Sequence, residues 1–243
     1  MSPIRAKYEE SFELAGDFYR FCKQQLVTTQ FPKNDGQKVT VVLLYSRIIE
    51  GLEAVILLLE NGLRSPTEVV IRSMLSSVFR LEAIARDADR VADYQRDGDV
   101  LTLRMIRRAL QKGHFDNLPQ QKQITGQRIK ELERQLGGRR DAATDEQWAG
   151  WAKLDKIYDL VYPVHSLTSH SNIRTLERHV DANGGFVVGP DDRSVEESLI
   201  AACQATLISA KAVFDLFGSQ TSEQYESLKI RWTRIADRIA AAL

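Results

Sequence analysis

Apolar side chains recur every three or four residues along most of this chain, and that spacing is typical of amphipathic α-helices. The pattern is densest over residues 38–60, where a central stripe includes Leu52 and further apolar residues flank it. This density predicts a central helix that is contacted on several sides. The spacing also predicts helices over residues 5–26, 65–86, 88–113, 117–137, 144–169, 194–218 and 221–242. We therefore predict an all-α fold, an antiparallel multi-helix bundle.

Local signals predict where several of these helices begin or break. Ser65 with Glu68, and Thr144 with Gln147, have the spacing of a capping box, in which two side chains satisfy the first backbone N–H groups of a helix. Asp97–Gly98 predicts a break within the helix over residues 88–113. These signals support separate helices joined by short connections.

Residues 175–189 depart from the helical pattern. They read TLERHVDANGGFVVG, in which two short runs flank Asn183, Gly184 and Gly185. Such a glycine-containing sequence between two runs is a β-hairpin signal. We predict a small β-hairpin insertion near 175–189 within a single helical domain that spans residues 1–243.

The composition is that of a folded globular protein, with 43% hydrophobic and 27% charged residues among 243. Cys22 and Cys203 each lie among apolar residues at helical spacing, which predicts small core residues and not redox groups. The N-terminus is charged at once, and three charged side chains interrupt the apolar stretch Val39–Leu59. We expect a cytoplasmic protein with no membrane partner and no cofactor.

Basic residues are concentrated in residues 100–140, which contain ten Lys or Arg and three Asp or Glu although the whole chain is neutral. Like charges four residues apart on a helix repel by a few tenths of a kcal/mol per pair, and that cost needs an offset. One interpretation is a solvated face with acidic partners inside the protein. The other is a site for a polyanion, the backbone of RNA or DNA. The candidate residues are Arg104, Arg108, Lys112, Lys122, Lys130 and Arg134.

The second candidate region is rich in histidine. Three of the four histidines in the chain are His165, His170 and His179. One interpretation makes His170 a structural residue, and another makes it a general acid–base group with Arg72, Arg174 or Arg178 holding a phosphate. A metal site formed by the three histidines is a third interpretation, but their irregular spacing argues against it, and we predict no metal.

The helix that leads into this region predicts its own orientation. Leu160, Val164 and Leu167 share an apolar face, whereas Tyr162 and His165 lie toward another face. Apolar faces normally pack against the core. Pro163 predicts a kink or a break in this helix.

Two stretches together resemble an uncharacterised bacterial family of helical proteins. They are SPTEVVIRSMLSSVFRLEAIARD, residues 65–87, and SLTSHSNIRTLERHV with GGFVVGP, residues 166–190. The first is similar to a family helix that carries an arginine, here Arg72, and the second to a Ser-x3-His-Ser element followed by a hairpin. The family often has an acidic residue one turn after the arginine, where this chain has Ser76. The resemblance implies a helical bundle, no agreed activity, and by analogy a role in phage defence or stress.

Arg174 and His179 form an Arg-x4-His pattern that resembles the catalytic motif of HEPN-type helical ribonucleases. That family has its motif on a helix, whereas the hairpin signal predicts an extended chain here, so the likeness is a distant analogy. Two functions follow from the sequence. The first is a binding or assembly module with a basic face for polyanions, for which a homo-oligomer is left open. The alternative is a phosphodiester-cleaving enzyme that uses His170 with Arg72.

Overall fold

The structure is a computed structural model that describes residues 2–30, 33–169, 180, 185, 189–218 and 222–242. Within these residues all regular secondary structure is helical, which confirms the predicted all-α class and the helical bundle. The helices are α1 (Pro3–Lys7), α2 (Glu9–Thr28), α3 (Gly36–Glu60), α4 (Arg64–Arg86), α5 (Arg90–Gln111), α6 (Pro119–Leu136), α7 (Asp145–Ala152), α8 (Asp155–Leu160), α9 (Tyr162–Ser169), α10 (Val195–Phe217) and α11 (Glu223–Ala241).

The centre of the bundle consists of α3, α4 and α10, which pack against one another. A connection of three residues joins α3 to α4, so these two helices run antiparallel. Leu52, in the middle of α3, is fully buried as its place in the stripe predicts. α2 packs on α3 and α10, α11 packs on α10 and α2, and α7 and α9 pack on α4. Cys22 and Cys203 are both free and buried in this core, as predicted.

Among the described residues, α10 is the one helix whose length and composition would allow it to cross a membrane. Its most apolar window has a mean hydropathy of 1.5, and 67% of that window is buried inside the protein. Small residues and aliphatic residues of α10 face α2, α3 and α4. The burial is that of a core helix, because each helix around it covers part of its apolar surface.

The helix starts confirm one capping prediction and correct another. At α7, Thr144 Oγ1 accepts from the backbone N–H of Gln147, and the Gln147 side chain accepts from the N–H of Thr144. At α4 the predicted box is wrong, because the helix already begins at Arg64 and Ser65 is not its cap. The carboxylate of Glu68 is turned into the protein interior, where it has other partners.

Two interruptions within the predicted helices also differ from expectation. α5 runs without a break through Asp97 and Gly98. The Asp97 side chain does not end its own helix, because it accepts hydrogen bonds from the backbone of Ala143 and from Trp148 on α7. The helix predicted over residues 144–169 is divided into α7, α8 and α9. Lys153, with a φ of 59°, ends α7, and Pro163 lies in the first turn of α9, where proline is tolerated.

The predicted β-hairpin lies outside the described residues, which include only Val180, Gly185 and Gly189 of that segment. The basic region is described in full. α6 packs on α5, and Val100, Leu103, Leu132 and Leu136 form a small buried cluster separate from the main core. Ile106 and Ile129 are partly buried and pack against this cluster. We call residues 100–140 the basic hairpin.

Candidate functional site

One face of α4 carries a row of polar side chains at intervals of four residues. The row consists of Arg64, Glu68, Arg72, Ser76 and Arg80, and we call it the α4 polar row. Residues four apart on a helix lie on one face. This face of α4 lies toward α7 and α9, and α10 supplies one further partner. The row therefore places charged groups inside a packed helical interface.

Glu68 and His165 meet at one end of this interface. His165 Nδ1 is in hydrogen-bonding contact with Glu68 Oε2, and the two residues are only 6% and 4% exposed. Ser198 on α10 donates to Glu68 Oε1 at 3.4 Å, and Arg64 Nε lies 3.9 Å from the same oxygen. Buried charged groups need such partners, because an unpaired one costs far more than a neutral side chain. The pair is enclosed by protein and has little access to a substrate.

Arg72 and Tyr162 begin a second set of contacts at the middle of the row. Arg72 Nε donates to the Tyr162 hydroxyl at 3.2 Å, and its guanidinium carbon lies 5.6 Å from the centre of the Tyr162 ring. The Tyr162 hydroxyl in turn donates to Asp145 Oδ2. Burial, together with the hydrogen bond to Asp145, raises the pKa of Tyr162. Tyr162 therefore stays protonated and links α9 to both α4 and α7.

Asp145 is the common acceptor of this second set. It accepts from Ser76 Oγ at 3.0 Å and from Arg80 Nη1 at 2.7 Å, in addition to the bond from Tyr162. Burial alone would raise the pKa of Asp145, but hydrogen bonds from Tyr162 and Arg80 outweigh burial and lower it. Asp145 is therefore charged at neutral pH. The related family often has an acidic residue one turn after the arginine, where this chain has Ser76. Here Asp145 on α7 supplies an acidic group next to Ser76.

The polar side of α9 faces inward, which is opposite to the prediction. Tyr162 and His165 are 6% exposed, whereas Leu160, Val164 and Leu167 are 73%, 59% and 58% exposed. The physical reason is the α4 polar row, because its charged groups can be buried only against hydrogen-bonding partners. The break at Val161 also places Leu160 on α8, whereas Val164 and Leu167 lie on α9.

His170, the predicted catalytic histidine, lies outside the described residues, as does His179. Arg72, its predicted phosphate-holding partner, is described and has the contacts given above. Of the three histidines in the metal hypothesis, the described part of the chain therefore includes only His165. Among the described residues, no three or more His, Cys, Asp or Glu side chains are grouped so that they could hold a metal ion.

The basic hairpin exposes all six predicted polyanion-binding residues. Two of them have acidic partners: Arg104 pairs with Asp141, and Lys122 Nζ lies 2.8 Å from Asp116. The other four have no ion-pair partner among the described residues. They are Arg108, Lys112, Lys130 and Arg134. Asp192 and Glu196, two acidic residues elsewhere in the chain, pair with Lys7 and Arg238 and not with the basic hairpin.

Within the part of the chain that the structure describes, these features define an all-helical protein with a charged helical interface and a basic helix pair. The chain belongs to a family of unknown function, DUF5677, whose model matches residues 38–187. The match confirms the predicted membership of an uncharacterised helical family. It includes the whole of α3 except its first two residues, α4 with its polar row, and the basic hairpin. No curated protein and no solved structure matches the chain.

Sequence reasoning did not find Asp145, Glu68 or the role of His165. The sequence pattern places Glu68 in a capping box, and Asp145 has no signal beyond its position directly after the capping residue Thr144. One signal is present in the sequence, the α4 polar row itself. A helix with polar residues at every fourth position cannot bury that face unless other helices supply hydrogen-bonding partners. A search for complementary polar residues on the following helices would have selected Tyr162 and His165.

Proposed function

We propose that this protein is a cytoplasmic binding or assembly module whose basic hairpin binds the phosphate backbone of RNA or DNA. The observation that carries the proposal is the set of four exposed cations, Arg108, Lys112, Lys130 and Arg134, for which the described residues supply no acidic partner. Cations that neutralise phosphates release the counterions condensed on the nucleic acid, and this release drives sequence-independent binding.

The two paired cations of the set support the same proposal. The side chain of Asp141, the partner of Arg104, is 88% exposed, and that of Asp116, the partner of Lys122, is 61% exposed. Exposed ion pairs contribute about 0–1 kcal/mol, so a phosphate can replace the carboxylate at little cost. Phe115 is the single Phe, Tyr or Trp in residues 100–140, so base stacking contributes little and no sequence preference is expected.

The test is fluorescence anisotropy with a labelled single-stranded RNA and a labelled DNA duplex over a range of salt concentrations. We expect binding at low salt that weakens as salt increases. Replacing Arg108, Lys112, Lys130 and Arg134 together with Gln should weaken it. If each contacts one phosphate, the slope of log affinity against log salt should flatten by about 3.6 for duplex DNA.

A matched variant distinguishes the hairpin from general charge. It replaces four exposed lysines outside the hairpin with Gln, namely Lys23, Lys33, Lys156 and Lys229. This variant has the same net charge as the hairpin variant and should keep nearly wild-type binding. Equal loss in both variants, or no binding by the wild type at low salt and high protein concentration, would reject the hairpin as a binding surface.

The phosphodiester-cleaving function is the second candidate, and one observation favours it. Arg72 lies on the face of α4 that packs against α9, and His170 directly follows α9 in the sequence. An arginine that holds a phosphate near a histidine is an arrangement suited to acid–base cleavage. Against it, Arg72 is already engaged by Tyr162, so we rank binding first.

For the biological setting we propose bacterial phage defence or stress, on the family resemblance alone. Phage plating on cells with and without the protein would test the first of these. If the protein protects cells and the hairpin variant does not, protection depends on the basic hairpin. Equal plating of a broad phage panel on cells with and without the protein would argue against a role in defence.

A further inference from the structure

A groove between α3, α4 and α5 has a composition suited to a small ligand. It shares Ser76 and Arg80 with the α4 polar row, and none of the six exposed cations of the basic hairpin lines it. Its volume is about 500 Å³, within the usual range for small-molecule sites. Leu44, Tyr94 and Leu101 contribute apolar surface to its wall, and Arg47 and Arg80 contribute positive charge. Concave sites with a mostly apolar wall and a few polar groups are typical of ligand binding.

The two arginines retain hydrogen-bond donors that the protein does not use. Arg47 Nη2 donates to Ser73 Oγ at 3.3 Å, and no carboxylate among the described residues pairs with Arg47. Arg80 uses Nη1 for Asp145 and for the carbonyl oxygen of Ser76, at 2.7 and 2.8 Å. Over the described ranges its Nε and Nη2 have no hydrogen-bond partner. Ser73 accepts from Arg47, which leaves its hydroxyl hydrogen available for a ligand.

Asp97 also lines the groove but does not oppose an anion there. Its carboxylate accepts from Trp148 Nε1 and from the backbone N–H of Ala143, both at 2.9 Å, and from Arg139 at 3.2 Å. The positive charge of Arg139 compensates the negative charge of Asp97. Within the described residues, the groove therefore presents Arg47 without a carboxylate partner and Arg80 with two unused donor nitrogens beside its ion pair with Asp145, and its one acidic lining residue is already hydrogen-bonded.

Gly98 is exposed, and no protein atom fills the space beside it. It lies within α5 and lines the groove, and a Cβ atom added there would meet nothing within 4 Å. Glycine inside a helix is less stable than alanine by about 0.5–1 kcal/mol. Packing inside the protein does not require this glycine, so the open space beside it is available to a ligand.

We propose that the groove binds a small phosphate monoester with an apolar or aromatic body. The phosphate accepts hydrogen bonds from Arg47, Arg80 and the Ser73 hydroxyl, and the body lies against Leu44, Tyr94 and Leu101. A phosphate suits this donor set better than a carboxylate, because it has three terminal oxygens to share between two guanidinium groups and a hydroxyl. This site is additional to the nucleic-acid surface and does not depend on it.

Isothermal titration calorimetry of the full chain with phenyl phosphate, inorganic phosphate and phenol tests the proposal. We expect phenyl phosphate to bind at least tenfold more tightly than either fragment, because only it satisfies both the arginines and the apolar wall. Arg47→Gln should weaken phenyl phosphate at least tenfold. Arg47 is exposed, so its replacement should leave the melting temperature nearly unchanged.

Two further variants make the test specific to the groove. Gly98→Leu places a side chain in the open space without strain and should weaken phenyl phosphate while leaving inorganic phosphate nearly unaffected. Arg134→Gln, on the basic hairpin, should change neither affinity. Absence of phenyl phosphate binding at millimolar concentration would overturn the proposal. Equal weakening by Arg47→Gln and Arg134→Gln would also overturn it, because binding would then follow surface charge.

Discussion

The Nδ1 atom of His165 on α9 contacts the Oε2 atom of Glu68 on α4, and both side chains are buried. The contact joins two helices whose facing surfaces are polar, and it explains why the apolar side of α9 is left exposed. A buried polar contact in this position helps to select which helix faces pack together, because each buried polar group needs a hydrogen-bond partner.

The first prediction concerns this pair. His165→Gln removes the partner of the buried Oε2 atom of Glu68, and the loss of this contact should lower the free energy of unfolding by about 1–3 kcal/mol. Urea denaturation at neutral pH measures the change. His114→Gln is the control, since His114 is exposed in the connection between α5 and α6 and should alter stability by less than about 0.5 kcal/mol. Similar values for the two variants would mean that the buried contact does not form.

The second prediction uses the lowered pKa of Asp145. Its stabilising contribution is fully present above the pKa of an unfolded Asp, and it is lost as the pH falls through the lower pKa of the folded state. Asp145→Asn should therefore reduce stability at pH 7, by about 1–2 kcal/mol after allowance for partial exposure. The difference from the wild type should shrink in the acid range below about pH 4.

Urea midpoints measured between pH 3 and pH 7 check this dependence. Asp159→Asn serves as the control, because Asp159 is exposed and forms no ion pair with any described residue. A stability difference for Asp145→Asn that stays constant over the whole pH range would show that the charge of Asp145 is not what stabilises the fold.

The third prediction concerns the central helix. Leu52 is fully buried in α3, and Leu52→Ala should lower the free energy of unfolding by about 2–5 kcal/mol through lost burial and a residual cavity. Leu57→Ala on the same helix is the matched control, since Leu57 is 56% exposed. Chemical denaturation of both variants is sufficient. A change below about 0.5 kcal/mol for Leu52→Ala would contradict the assigned core.

The fourth prediction separates the two functions. A general acid–base histidine contributes typically 10²–10⁴-fold to a rate, whereas a structural histidine contributes to stability. If the protein cleaves RNA, His170→Gln should abolish cleavage with the melting temperature nearly unchanged, and Arg72→Gln should do the same apart from a loss of stability through Tyr162. We expect the binding module instead, with no cleavage by the wild type. Cleavage by the wild type that a folded His170→Gln variant has lost would favour the enzyme.

Helices with a dense apolar stripe were predictable because each one needs only local spacing to define its buried face. α3 is the clearest case, since Leu52 and its neighbours repeat at helical intervals and the connection to α4 is short. The capping box of α7 was equally local, because Thr144 and Gln147 complete it with their own backbone groups. The same reasoning failed at Ser65 and Glu68, where a partner from a distant part of the chain competes for the carboxylate.

The sequence by itself determined the helical class, the burial of α3, the cysteines in the core and the concentration of basic residues in one helix pair. These properties depend on spacing and composition within single segments. Only the tertiary structure decided that Asp145 serves Arg80 and Ser76, that His165 serves Glu68, and that α9 turns its polar side inward. The physical reason is that a buried charge must find a partner, and the partner's position in the chain is set by how the helices pack.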